Sequence, residues 1–145
     1  MTTPTLVELM MNDHARLERL LDKLEDHVDA DYPMMRKAFN TFEWELEKHL
    51  FVEEKAIFTQ YSPDDIAEGY QMLPVITKQH TFIVNTLDTW RKQVRNNQRL
   101  EGFHDFKQFL IKHKKYEEND VYPRLDESLT EEQKRHMIER IQEIV

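Results

Sequence analysis

Cysteine is absent from this chain of 145 residues, glycine occurs only twice and proline five times. Without cysteine there is neither a disulfide nor a thiolate metal ligand. So little turn punctuation suits long helices better than short strands joined by tight turns. Positive charge is also in deficit: 20 Lys and Arg stand against 28 Asp and Glu, a formal charge of −8, with no basic stripe. Binding to nucleic acid or to an anionic membrane surface is therefore disfavoured. No apolar run reaches the length of a membrane span, and Met1-Thr2-Thr3-Pro4 does not open a signal peptide. The expectation is a cytoplasmic protein whose residues 1–145 form one all-α domain.

What is present is apolar periodicity at helical spacing, in four long segments. The first starts after Thr3 as N-cap with Pro4 in the first turn, and runs to about Asp29. The second continues past Pro33 to about Tyr61. Ser62-Pro63-Asp64-Asp65 opens a short helix by its capping hydroxyl and first-turn proline and carboxylates. That helix breaks near Pro74, which opens the third long helix, to about Arg95. The fourth runs from about Arg99 to Pro123, completing a core of about 4–123. Thr130-Glu131-Glu132-Gln133 is a capping box that starts a short terminal helix over about 130–144.

Two of these segments carry a His-x-x-x-Glu pair on the stripe meant for the core. One reads Phe39, Phe42, Leu46, His49, Glu53, Ala56. The other reads Phe103, Phe106, Leu110, His113, Glu117, then Asp120 or Val121. Four residues is a little over one turn, so imidazole and carboxylate share a face. A buried carboxylate without a partner is costly and tends to shift its pKa or bind something. The remaining two helices each place one histidine on the apolar stripe: His14 among Met10, Leu17 and Leu21, and His80 among Ile76, Ile83 and Leu87. If successive helices are antiparallel, His14 and His49 lie level, roughly 22–24 Å from their shared turn, and His80 is level with His113. Helical phase turns His27 and His104 away from the stripes and His136 belongs to the terminal helix, so all three read as surface residues. Taken singly, each histidine reads as a core residue and each pair as a simple ion pair. Together they read as one metal site.

The ordered set His14, His49-x-x-x-Glu53, His80 and His113-x-x-x-Glu117 before Val121-Tyr122-Pro123 resembles the hemerythrin-like, or HHE cation-binding, domain. The resemblance covers about Leu6 to Pro123. It implies an up-down antiparallel four-helix bundle holding two iron ions, bridged by Glu53 and Glu117 and by an oxo or hydroxo group. His14, His49, His80 and His113 would be terminal ligands. Imidazole and carboxylate without sulfur suit Fe(II)/Fe(III). Hemerythrins proper carry a further histidine one turn from the third-helix ligand. Here Ile76 and Val84 hold those positions, and coordination positions stay open. Simple reversible oxygen transport is thereby put in doubt. Glu18, four residues after His14, and Tyr116, three after His113, are candidates for an extra ligand or an outer partner. Each has a plainer reading, as a solvated glutamate and a packed tyrosine. Glu54 and Glu118, one residue past the bridging pair, are expected at the surface or between helices. Phe42, Phe51, Trp90, Phe106 and Phe109 are candidate pocket walls. The functions implied are O2, NO or peroxide binding, acting in oxygen or NO sensing, in ligand binding or in detoxification, with an unidentified electron donor if peroxide or NO is reduced. The alternatives are a metal-dependent regulatory or iron-binding module without turnover, a peroxidase or NO-reducing enzyme, and a metal-free structural bundle.

Overall fold

In a computed structural model of the protein, residues 5–29, 32–57 and 68–144 are described. Four long helices form the frame: α1 (Leu6–Glu25), α2 (Tyr32–Val52), α3 (Glu68–Arg95) and α4 (Phe103–Tyr116). Two more follow, α5 (Tyr122–Ser128) and α6 (Glu131–Ile144). Each long helix packs on the next and α4 returns to α1, closing a square. Side-chain pairs fix the directions. Arg16–Glu45 and His14–His49 run in opposite sequence order, as do Arg91–Glu43 and His80–Glu54. Lys107–Glu25 and Lys114–Glu18 do the same for α4 and α1. The bundle is therefore up-down and antiparallel. None of its described helices is long and apolar enough to cross a membrane.

Local chemistry sets the ends. Thr5, not Thr3, caps α1: its hydroxyl accepts from the Glu8 backbone N–H while Glu8 accepts from the Thr5 N–H. The expected capping box at the other end of the chain is present, with Thr130 and Gln133 bonding reciprocally. Helix α1 stops at Glu25 rather than Asp29, giving way to a turn. Before α4, Asn97 and Gly102 both take the left-handed backbone region, so α4 starts at Phe103 rather than at Arg99.

Two prolines behave differently from the sequence expectation. Pro74 does not break α3; the helix begins six residues earlier and runs through it. The proline lies within two turns of the N-terminus, so few backbone bonds precede it for its ring and missing N–H to disturb. Pro123 does not end a helix but occupies the first turn of α5, where its fixed φ is pre-organised. The short helix expected at Ser62-Pro63 lies outside the described residues.

The apolar core is divided in two. Leu17, Leu21, Phe39, Phe42, Leu46, Ile83, Leu87, Trp90 and Phe106 belong to one cluster. Its aromatic heart is Trp90, edge-on to Phe39 and Phe106 and stacked on Phe103, with its indole N–H donating to the Glu101 carbonyl at 2.8 Å. The second cluster unites Leu6, Met10, Val52, Ala56, Ile57, Ile76, Val121 and Tyr122 with Met137 and Ile141 of α6. On every long helix the histidine of the stripe falls between these clusters. Phe42 is fully buried in the first. Its replacement by alanine should cost about 3–5 kcal/mol in urea unfolding of the metal-free protein.

Candidate metal centre

Four histidines and two glutamates fill the layer between the apolar clusters. His14, His49, His80 and His113 are almost wholly buried, and Glu53 and Glu117 have no exposed surface. Both glutamates stand at the first residue of a π-helical turn, Glu53–Ile57 after α2 and Glu117–Val121 after α4. A π turn adds one residue to the register, and such turns occur often at functional sites. Here the extra residue shifts the stripe, so Ala56 and Ile57 are both buried, as are Val121 and Tyr122.

The ligand atoms form two overlapping sets. His14, His49, Glu53 and Glu117 make one; Glu53, His80, His113 and Glu117 make the other. Within each set every ligand atom lies within 4.8 Å of the others. His14 Nε2 is 3.1 Å from His49 Nε2 and 3.3 Å from Glu117 Oε1. His113 Nε2 is 3.1 Å from Glu117 Oε1, and His80 Nε2 is 3.6 Å from Glu53 Oε2. Two ligands at right angles on a metal with bonds of about 2.1 Å lie about 3.0 Å apart. The observed spacings are close to that value.

Every Nδ1 is occupied from outside, which turns every Nε2 inward. His49 Nδ1 donates to Asp13 at 2.5 Å, and His14 Nδ1 to Glu118 at 3.0 Å. His80 Nδ1 donates to Glu54 at 3.2 Å, and His113 Nδ1 to Gln79 Oε1 at 2.5 Å. These four bonds run round the bundle in one direction. Asp13 of α1 holds the histidine of α2, and Glu54, just past α2, holds that of α3. Gln79 of α3 holds that of α4, and Glu118, just past α4, holds that of α1. Outer acceptors of this kind fix the ring orientation of metal-binding histidines and raise their basicity.

The polar atoms left inside test the fit to a cation. Both oxygens of Glu53, both of Glu117 and Nε2 of His113 are buried without a well-formed hydrogen bond. Such a group of lone pairs is costly unless protons or a metal satisfy it. Without a metal, protons do so unevenly. Burial and the neighbouring Glu53 charge push Glu117 up to about 8. Glu53 stays well below the usual carboxylate range: burial works against this, but the His49 charge and the polar groups of His49, His80 and Glu117 close by outweigh it. Burial also opposes charge on His49, yet Glu53 and Asp13 raise it to about 10. For His113 burial prevails, lowering it to about 4. Oxygen and nitrogen donors around two shared carboxylates suit divalent or trivalent first-row metals.

The structure thus brings together the six residues singled out as ligands. It does not bring Glu18 or Tyr116 among them. Glu18 pairs with Lys114 Nζ at 2.8 Å. Tyr116 is only partly buried against the second apolar cluster, its phenol raised by burial and by Asp120. His27 is half-buried, and His104 and His136 are exposed. Sequence reasoning passed over Asp13, Gln79 and Tyr122, and gave Glu54 and Glu118 no part in the site. Tyr122 is fully buried, its ring 5.9 Å from that of His14 and its hydroxyl without a well-formed hydrogen bond. Burial and the charges of Glu117 and Glu53 push its phenol well up. The signal for Tyr122 was the phase slip after Glu117. The other four each sit one residue from a ligand, on the flank facing a neighbouring helix.

The expected aromatic walls are not there. Phe51 is about half exposed, and Phe42, Phe106 and Trp90 pack together away from the histidines. Phe109 instead packs against Phe82. A cavity of about 30 Å³ does reach His14, His49 and His113, but its walls are aliphatic: Leu17, Leu46, Leu50, Ile83 and Leu110.

Fold and site together define a helical-bundle protein with a buried histidine–carboxylate cluster whose donors are compatible with metal. The sequence profile of the hemerythrin HHE cation-binding domain matches residues 5–142. The chain belongs to that family. Comparison with curated proteins and with solved structures returned no match.

A divalent cation entering this cluster must displace the protons on His49 and Glu117. Affinity should therefore rise with pH, first through about 8 as Glu117 ionises and further towards about 10 for His49. At pH 7, uptake should release protons, so the calorimetric heat should vary with the ionisation enthalpy of the buffer. A buffer-independent heat would contradict this protonation pattern.

Proposed function

We propose that the protein is a non-haem di-iron protein that binds a small diatomic ligand, O2 or NO, in a sensing or binding role. The observation that carries the reading is the sharing of Glu53 and Glu117 by two otherwise separate donor sets. One ion needs no second pair of histidines. Two ions would draw on both histidine pairs, with Glu53 and Glu117 serving each. His14 and His49 would hold one iron and His80 and His113 the other. When bound, the pair supplies Lewis acidity and up to two electrons to a small ligand at an open position.

The chain's own residues shape what reaches that position. The aliphatic cavity exceeds the roughly 10–15 Å³ that one water molecule requires, and it offers almost no polar partner to hold one. Such a space favours an apolar diatomic over a hydrogen-bonding peroxide. At its outer margin Glu18 and Lys114 form the ion pair already described, and both line the cavity. On this reading a ligand would pass between α1 and α4 beside that pair. A second reading, peroxide reduction, is favoured by Tyr122. Its hydroxyl lies near both shared carboxylates and holds its proton firmly, so it can offer a hydrogen bond to a peroxide bound beside them.

Protein from iron-replete cells should contain close to two irons per chain and absorb in the near ultraviolet. Less than one iron per chain would sink the di-iron reading. Glu53→Ala and Glu117→Ala should each lose iron, whereas His27→Ala should keep it; full loading in either glutamate variant would remove the bridging assignment. Glu18→Ala should retain iron and speed NO association severalfold in stopped flow. An unchanged rate would place the ligand path elsewhere. Turnover of peroxide over many cycles, without a stable O2 or NO complex, would favour the second reading.

A further inference from the structure

The circuit of outer acceptors is regular in position but not in chemistry. Asp13 and Gln79 occupy matching places, each one residue before an inward histidine and each bonded to the Nδ1 of the next helix's histidine. One is a carboxylate and the other a neutral amide. Glu118 and Glu54 also match, each one residue past a shared glutamate. Both are carboxylates, but Glu118 is 15 % exposed and Glu54 is 51 % exposed. The difference in charge therefore falls on one side. His14 and His49 are backed by two acidic groups, Glu118 and the 25 % exposed Asp13, both less open to water than Glu54. His80 and His113 are backed by one solvent-screened acid and one amide.

We propose that the two metal positions are unequal, and that the His14–His49 position fills first and binds more tightly. The proposal rests on the dinuclear reading above. A carboxylate drawing on the Nδ1 proton enriches Nε2 in electron density, and an amide oxygen does so less. Low exposure keeps that field from being screened. Arg16 does not cancel the effect. It bonds Asp13 through Oδ1 and leaves Oδ2 to His49, while its other arm is neutralised by Glu45. Glu53 and Glu117 serve both positions and do not discriminate between them. Asp13 and Gln79 are thus positioning residues that act through the histidines they hold.

Two isosteric variants of the full chain, Asp13→Asn and Gln79→Glu, test this with Co(II) titrated into metal-free protein and read by absorption and chelator competition, each affinity being corrected for the protons released on uptake. The wild type should take up two Co(II) in separate steps. Asp13→Asn should weaken the first step by about tenfold or more, the usual scale for an outer partner of a metal ligand. Gln79→Glu should strengthen the second. Stepwise uptake alone is not the criterion, because repulsion between ions would separate the steps even at equal positions. Equal positions give the reverse mutational pattern: the unaltered position would fill first in Asp13→Asn, weakening the second step, and Gln79→Glu would strengthen the first. That pattern, or no change in either variant, would overturn the proposal. Uptake of a single Co(II) by the wild type would overturn the dinuclear reading itself. Unfolding midpoints of the metal-free variants confirm that the fold is intact in each comparison.

Discussion

Burial of Glu53 and Glu117 is the constraint on which the rest of the structure turns. Two carboxylates with no exposed surface, facing each other in a helical core, repel and are stripped of water. A packed apolar core alone would exclude them. They are tolerated because four imidazoles from four helices converge on them, and because those imidazoles are held from behind by further polar groups. The bundle's geometry follows from that demand. Every helix must deliver a histidine at one depth, and each must lie beside the neighbour that holds its ring.

The sequence made much of this readable, and the reasons are physical. An α-helix has a fixed period, so His49, Glu53, His113 and Glu117 could be placed on the apolar stripe from spacing alone. Antiparallel helices of similar length bring residues at equal distances from a turn to one level. That arithmetic survived even though α4 starts later than expected and α1 ends earlier. What spacing could not reveal depends on neighbouring helices. Asp13 and Gln79 look like solvated residues on a single helix, and only the rotation of the adjacent helix makes them partners of a ring nitrogen. Glu18 repeats the offset of the bridging pairs, yet α4 presents Lys114 to it instead of a metal position.

The π turns were hidden for a related reason. A one-residue change in register leaves composition untouched and appears only as uncertainty over whether Asp120 or Val121 continues the stripe. In the fold that uncertainty resolves into Val121 and Tyr122 both facing inward. The result is a phenol beside the shared carboxylates, where a regular helix would have turned it away. Pro74 illustrates the opposite limit: a local breaking signal yields when it falls near a helix start, where there is little to break.

The division of the apolar core has a consequence for cooperativity. Its two clusters meet across a layer of charge rather than through continuous side-chain packing. One cluster has the interlocked aromatics of α2, α3 and α4; the other joins the π turns to α6. Helices α1, α2 and α3 run through both clusters and tie them together along the chain, but across the bundle the only link at this level is the polar layer. A bound metal would therefore add lateral coupling between the two ends of the bundle that the apolar core does not supply.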